Sequence, residues 1–201
     1  MKQQQDVTFL QTKRMYLRPG RREDTPLFLK WGNDPELRLL YMKSYLPTDE
    51  AQVAEALAGI HKRTDMLRLV MCLNNGRAIG LIGVHGIDWK NRVGMTETVI
   101  GEKQFWDKGY GSEAQMALLH HAFDTLNLRK LWAVIYGFNK RSQAYHAKCG
   151  YHVEGVQRGH VFADGEYHDR ILMGVFREDW LPIWKRFLRT GRVTASRKAR
   201  A

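Results

Sequence analysis

The chain has 201 residues, of which 44% are hydrophobic and 26% are charged, so its composition is that of a folded globular domain and excludes general disorder. The net charge of +11 is concentrated near one end, because seven lysines and arginines lie between residues 185 and 200 and no acidic residue follows Asp179. The remaining chain carries about +4, which is ordinary. We therefore predict one domain over residues 1–188 and a basic tail over 189–201. The tail is solvated by default, and contact with nucleic acid or the ribosome is the weaker alternative.

The sequence also bears on cellular location. No apolar run approaches the length that crosses a bilayer, and the glutamine-rich first 13 residues lack the hydrophobic core of a secretion signal. Cys72 and Cys149 are the two cysteines, which gives no disulfide framework. These observations predict a cytoplasmic protein with no membrane partner.

The first third of the chain favours one strand and then helices. Residues 8–18 predict a strand that Pro19 and Gly20 end. Helices are expected from about residue 25 to 33, from 35 to 41 and from 48 to 63, because each opens with Asp or Thr close to a proline or glutamate.

The middle and end of the chain predict mainly strands. Strands are expected at 67–73 and 78–87, joined by the hairpin turn Asn74-Asn75-Gly76, and at 93–100. After a central helix come a strand at 130–136, a short helix at 139–149 and a hairpin at 151–158 and 167–176. This order predicts an α+β (mixed α/β) fold: a mostly antiparallel sheet of about six to seven strands, with one parallel βαβ crossover, flanked by helices.

Two glycines between the strand at 93–100 and the central helix suggest a phosphate site. Gly109 and Gly111 allow backbone N–H groups to turn outward at the positive end of a helix, and Lys108 adds a mobile charge. Ser112 and Gln115 have the spacing of a capping box. A tight turn alone would also use two glycines, so the flanking motifs must decide.

Those flanking motifs resemble the GNAT family of N-acetyltransferases, most closely the branch of ribosomal-protein N-terminal and polyamine acetyltransferases. The resemblance spans about residues 15–180, and Trp106 stands where the family usually has Gln or Arg. The motifs that carry it are Ile100-Gly101-Glu102-Lys103 with Trp106-x-Lys108-Gly109-Tyr110-Gly111-Ser112-Glu113-Ala114, then Asn139-Lys140-Arg141-Ser142, then Lys148-Cys149-Gly150-Tyr151.

The resemblance implies a splayed sheet that holds acetyl-CoA as cosubstrate and transfers its acetyl group to a primary amine. The acceptor is open: a protein N-terminus, a polyamine, an aminoglycoside-like drug or an amino sugar. The acceptor pocket would lie between the early helices and the later hairpin. Core packing is the default role of most of the aromatic residues Trp31, Tyr41, Tyr45 and Trp89, and some of them would line the mouth of this pocket. The residues implied to bind the cofactor are Val99, Ile100, Gly101, Trp106, Lys108, Gly109, Tyr110, Gly111, Ser112, Asn139 and Ser142.

The chemistry of amine acetylation sets the remaining candidates. An amine with a pKa near 10 is protonated at neutral pH, so a base must take its proton before it attacks. Glu97, an acid in an apolar strand, is the candidate base, and a solvent-facing strand residue is the equal alternative. A main-chain N–H near Val99 would face the developing oxyanion.

The departing thiolate needs an acid. The family often has Tyr at the position of His146, so His146 or its neighbour Tyr145 is the candidate; a surface histidine is the alternative. Cys149 could form a covalent acyl-enzyme, but beside Gly150 it fits better as a small packed side chain. The histidine spacings predict no metal site.

Two rival classes and an assembly question stay open. A dinucleotide enzyme fits the glycines but lacks an acid at the tip of the next strand, near Gly137. A non-catalytic protein that binds acyl-CoA or RNA is the second rival. A homodimer is also possible.

Overall fold

The computed structural model describes residues 7–41 and 46–194, and their strands form one eight-stranded sheet. The order across the sheet is β1-β2-β3-β4-β5-β6-β8-β7. The strands are β1 (Leu10–Gln11), β2 (Met15–Pro19), β3 (Met66–Leu73), β4 (Ala78–Asp88), β5 (Val93–Ile100), β6 (Lys130–Tyr136), β7 (His152–Ala163) and β8 (Glu166–Phe176).

Six α-helices accompany the sheet in this part of the chain. They are α1 (Thr25–Asn33), α2 (Pro35–Tyr41), α3 (Glu50–Gly59), α4 (Tyr110–His120), α5 (Lys140–Lys148) and α6 (Arg177–Thr190). None of the helices in the described ranges is long and apolar enough to cross a bilayer.

All neighbouring strands pair antiparallel except β5 and β6. The parallel ladder joins Val93–Met95 to Lys130–Trp132 and then ends, whereas β6 continues along its whole length against β8. The second half of β5 therefore diverges from β6 and opens a cleft in the sheet. Both the mixed α/β fold and the single parallel crossover are confirmed.

The two faces of the sheet are covered by different helices. Helices α4 and α6 pack on one face around fully buried side chains such as Met116, Leu118 and Trp180. On the other face Trp31 and Leu37 of α1 and α2 pack against strand residues Leu81 and Val99. Because side chains alternate along β5, its residues face the two layers in turn.

The structure differs from the sequence prediction in two features of the fold. The sheet has eight strands, because residues 8–18 form a hairpin: Leu10 pairs with Leu17 after a turn that Thr12 closes onto Met15. No helix was predicted after residue 176, yet α6 is present and Trp180 and Ile183 are buried. The signal was available, since apolar residues recur at 180, 183, 184 and 187, but the basic residues between them masked it.

The C-terminal end of α6 bears on the predicted tail. The proposed boundary at 189 falls inside α6, whose C-cap is Gly191 in the left-handed region at φ 65°. Val193 packs against the core, and Arg186 donates to the carbonyl of Thr194. Segment 195–201 lies outside the described residues.

Candidate active site

The segment that carries Gly109 and Gly111, called the glycine loop below, leads into α4 beside the opened half of β5. Gly109 precedes the helix in the left-handed region, at φ 79°, where a residue without Cβ is favoured. No side chain caps α4, so the first-turn N–H groups point outward from a helix that begins at Tyr110. The predicted capping box is wrong, because Ser112 already lies inside the helix. The helix start leaves N–H donors at its positive end, and the anion site that the sequence places there stays a prediction.

Arg14, the residue before β2, contacts both the glycine loop and α4. Its Nε lies 2.5 Å from Oε2 of Glu113, and its own backbone N–H donates to Oε1 of the same carboxylate at 2.9 Å. Its Nη1 also donates to the Lys108 carbonyl at 2.9 Å. The Glu113 side chain is only 4% exposed, which strengthens the pair. Sequence reasoning missed Arg14, since 99 residues separate the partners and no local pattern links them.

Trp106 holds the end of β5. Its indole N–H donates to the Ile100 carbonyl at 2.7 Å, so that carbonyl faces away from β4. At the next position Gly101 allows close approach, because a Cβ there would overlap the ring of Trp31. The end of β5, where the resemblance places the cofactor-binding residues Ile100 and Gly101, is thus held by two tryptophans.

Every second backbone amide of β5 faces the cleft. A Cβ at Gly80 in β4 would overlap the Val99 carbonyl oxygen, which places that carbonyl on the β4 side. In a ladder the N–H and C=O of one residue point to the same neighbour. The amides that face the cleft are therefore those of Thr98 and Ile100, which flank Val99.

Helix α5 forms the opposite wall of the cleft. Asn139 is its N-cap, and the Asn139 side-chain oxygen accepts from the Ser142 N–H at 3.0 Å. Both residues predicted to touch the cofactor thus lie together at the start of α5, and Asn139 also has a helix-capping role.

A buried polar network ties α4 and α5 to the diverging part of β5. The Tyr145 hydroxyl donates to Oε1 of Gln115 at 2.7 Å and lies 2.9 Å from Oγ1 of Thr98. The Tyr151 hydroxyl lies 2.8 Å from both Nε2 of Gln115 and Oγ1 of Thr96. These side chains replace main-chain pairing where β5 leaves β6, and burial raises the pKa of Tyr145 so that its phenol stays protonated.

His146 is buried, so the alternative of a surface histidine is wrong. Its Nδ1 lies 2.8 Å from the Ser142 carbonyl, a contact in which Nδ1 must carry the proton. Burial lowers its pKa from 6.5 to about 4, with a small opposing effect of that carbonyl. The imidazole is therefore neutral at pH 7, and its N–H is already engaged.

This burial predicts an acid-sensitive fold. Between pH 6.5 and 4 the unfolded chain protonates His146 while the folded chain does not, so stability falls as pH falls. The loss reaches roughly 3 kcal/mol at pH 4 and then levels. Chemical denaturation across this range should show a shallower pH dependence for His146→Gln, which keeps a donor for Ser142 but does not titrate. Identical pH profiles for the two chains would contradict the assignment.

Cys149 has a packing role. It is fully buried, and burial raises its pKa to about 12. A thiol of this pKa is not a nucleophile at neutral pH, which argues against a covalent acyl-enzyme.

Glu97 lies on the other face of β5, toward α1 and α2, and is 5% exposed. Its Oε1 lies 2.5 Å from Nε of Arg68, and its Oε2 accepts from the Tyr41 hydroxyl. The alternative of a solvent-facing residue is therefore wrong. Gly83 stands between Arg68 on β3 and Glu97 on β5, so no side chain separates them across the central strand.

Of the four aromatic residues named for the mouth of the acceptor pocket, the three that the structure describes lie at separate places. Trp31 is buried against Glu102 and the core between α1 and the sheet. Tyr41 contacts Glu97, and burial followed by that carboxylate raises its pKa, so it remains a donor. Trp89 is half-exposed at the turn after β4, bonded to the Thr64 carbonyl. Tyr45 lies outside the described residues.

The splayed mixed sheet and the helix that starts beside it form the arrangement that the sequence resemblance implied. Residues 14–152 match the family model described as an acetyltransferase (GNAT) domain, so the chain belongs to the GNAT family. The resemblance seen in the sequence is thereby confirmed.

Named relatives agree with this assignment. The chain is 26% identical over 122 residues to the spermidine N(1)-acetyltransferase of Escherichia coli; the match covers 61% of this chain and 64% of that protein, just under two thirds of its length. It is 28% identical over 153 residues to a putative ribosomal N-acetyltransferase of Bacillus subtilis, covering 76% and 78%.

A solved structure has the same fold. The spermidine N-acetyltransferase from Vibrio cholerae in complex with CoA and spermine matches with a TM-score of 0.78 over 85% of this chain and 99% of that one. Its sequence identity is 20%, so the likeness concerns the fold.

Proposed function

We propose that this protein is an N-acetyltransferase that moves the acetyl group of acetyl-CoA to a primary amine by direct attack. The observation that carries the proposal is the N-terminus of α4, which opens at Gly109 beside the half of β5 that has left β6. The first-turn N–H groups would hold the pyrophosphate, and Lys108 adds charge. The thioester would then lie along the diverging strand.

The amine nitrogen attacks the thioester carbonyl and forms a tetrahedral intermediate. The C–S bond then breaks, which gives the acetylated amine and the CoA thiolate. Cleft-facing amides of Thr98 and Ile100 supply oxyanion donors. Glu97 accepts the ammonium proton through water, because Arg68 and Tyr41 already contact its two carboxylate oxygens.

Tyr145 is the proposed proton donor to the thiolate. Its hydroxyl lies beside the cleft-side Thr98, and its proton, which the structure directs to Oε1 of Gln115, would turn toward the sulfur as negative charge develops there. The Nδ1–H of His146 instead faces the Ser142 carbonyl of its own helix. Tyr145→Phe should lower kcat about 10²-fold with little change in acetyl-CoA affinity, the usual size of an acid effect. Tyr151→Phe is a matched control, since it removes a hydroxyl from the same network. Equal losses in the two variants would assign Tyr145 a structural role.

Release of free CoA thiol in the presence of a panel of amines tests the activity itself. A catalyst turns over at least one amine, whereas a non-catalytic acyl-CoA-binding protein only gains thermal stability. The names of the relatives suggest spermidine and ribosomal proteins as the first acceptors to try.

The basic tail supports a separate prediction. A chain that ends at Thr194 keeps α6 and its C-cap, so its free energy of unfolding should change by less than about 0.5 kcal/mol. Turnover of a small amine should also be unchanged. If the truncated chain loses turnover of a macromolecular acceptor alone, the tail has a docking role. If it also loses turnover of a small amine, the prediction that the tail is dispensable is contradicted. The cytoplasmic location, the ribosome or nucleic-acid contact and the homodimer stay predictions.

A further inference from the structure

Arg141 and Trp106 meet across the mouth of the cofactor cleft. The guanidinium carbon of Arg141 lies 3.7 Å from the centroid of the Trp106 ring. Trp106 belongs to the turn before the glycine loop, and Arg141 belongs to the first turn of α5. The indole N–H is bonded to Ile100, which fixes the ring on which the arginine rests. The pair thus joins the two walls that face each other across the cleft.

The contact with Trp106 leaves the N–H groups at the edge of the Arg141 guanidinium available for a ligand. A guanidinium that rests on an aromatic ring uses its flat face, while its N–H donors point outward in the plane. The acid nearest to it in the described ranges is Asp107, at 4.0 Å, beyond hydrogen-bond distance and with a side chain 76% exposed. A contact this long and this exposed compensates little of the positive charge of Arg141.

Arg14, the other arginine at this loop, is differently engaged. Its Nε pairs with the buried Glu113 and its Nη1 donates to the Lys108 carbonyl, so it stabilises the loop itself. Arg141 has no comparable partner among the residues that the structure describes. Its planar fork also matches two oxygens of a phosphate group.

We propose that Arg141 binds the pyrophosphate of CoA and that Trp106 positions it. This inference rests on the proposed function, because it assigns a ligand to the same cleft. The pyrophosphate is the assigned group because the Trp106 ring under Arg141 directly precedes the loop whose first-turn N–H groups face the same anion.

Calorimetry with three ligands tests the assignment. Arg141→Ala should weaken binding of CoA and of 3′-dephospho-CoA alike, each about tenfold, the loss expected for a charge-assisted hydrogen bond. Binding of pantetheine, which lacks the pyrophosphate, should be unchanged. Lys140→Ala is the matched control, since it removes the same charge from the adjacent exposed position and should change affinity less than twofold.

Each other outcome overturns a defined statement. Equal losses on all three ligands would mean that the stack only supports the cleft wall. A loss for CoA that vanishes for 3′-dephospho-CoA would move the contact to the 3′-phosphate and contradict the assignment. Unchanged CoA affinity in Arg141→Ala would refute the role of Arg141 alone, whereas failure of the unmodified protein to bind CoA would refute the proposed function.

Discussion

Gly111→Asp is expected to abolish acetyl-CoA binding, with a loss in affinity of at least about 10³-fold. The new carboxylate would stand at the anion site, and like charges that face each other in a binding site cost several kcal/mol. The fold should survive. A Cβ at Gly111 would meet Tyr145 at 3.5 Å and Thr98 at 3.9 Å, ordinary contact distances. An acid in the first turn also favours the helix dipole.

The measurement is CoA affinity by calorimetry, with the melting temperature recorded in parallel. Gly111→Asn is the matched control, because it has nearly the same shape without the charge and should lose less than about tenfold. A folded Gly111→Asp protein with unchanged affinity would refute the assignment of the phosphate site to this loop.

Glu97→Gln is expected to act on both catalysis and stability. Without the carboxylate, kcat/KM should fall about 10²- to 10³-fold near neutral pH. It should recover partly as pH rises toward the amine pKa near 10, where the amine loses its proton unaided. Arg68, which is mostly buried, would lose its anionic partner, which costs about 3 kcal/mol of stability.

A double variant separates the two effects. Arg68→Met with Glu97→Gln removes both charges, so it should regain most of the lost stability while activity stays low. A loss in kcat/KM that is equal at every pH would indicate a positioning role for Glu97. Full activity in a stable double variant would remove Glu97 from the reaction altogether.

Local sequence patterns predicted much of the backbone structure around the candidate site. Gly109 and Gly111 between a strand and a helix indicate outward-facing N–H groups wherever the rest of the chain lies, because this depends on backbone freedom over a few residues. The boundaries of β5 and β6 were also predicted, because the apolar, β-branched runs that mark a strand are local as well. The capping box failed because α4 begins at Tyr110, three residues before the start that an N-cap at Ser112 would give, and it does so without a side-chain cap.

The sequence could not choose between alternatives for residues whose burial depends on the tertiary structure. His146 and Glu97 each had an exposed alternative, and neither residue's neighbours in sequence could reject it. Burial of His146 comes from Tyr145 and Tyr151, whose rings pack edge-on to the imidazole once α5 docks on the sheet.

The sequence by itself determined the family, the βαβ unit and the identity of the glycine loop, since these depend on short motifs and hydrophobic spacing. Only the tertiary structure decided which charged side chains pair with each other inside the fold and which face the cleft. Arg14 pairs with Glu113 across 99 positions, and Arg68 reaches Glu97 over Gly83. Such partners are set by strand order and register, because a pair distant in sequence becomes a contact only after the sheet has formed.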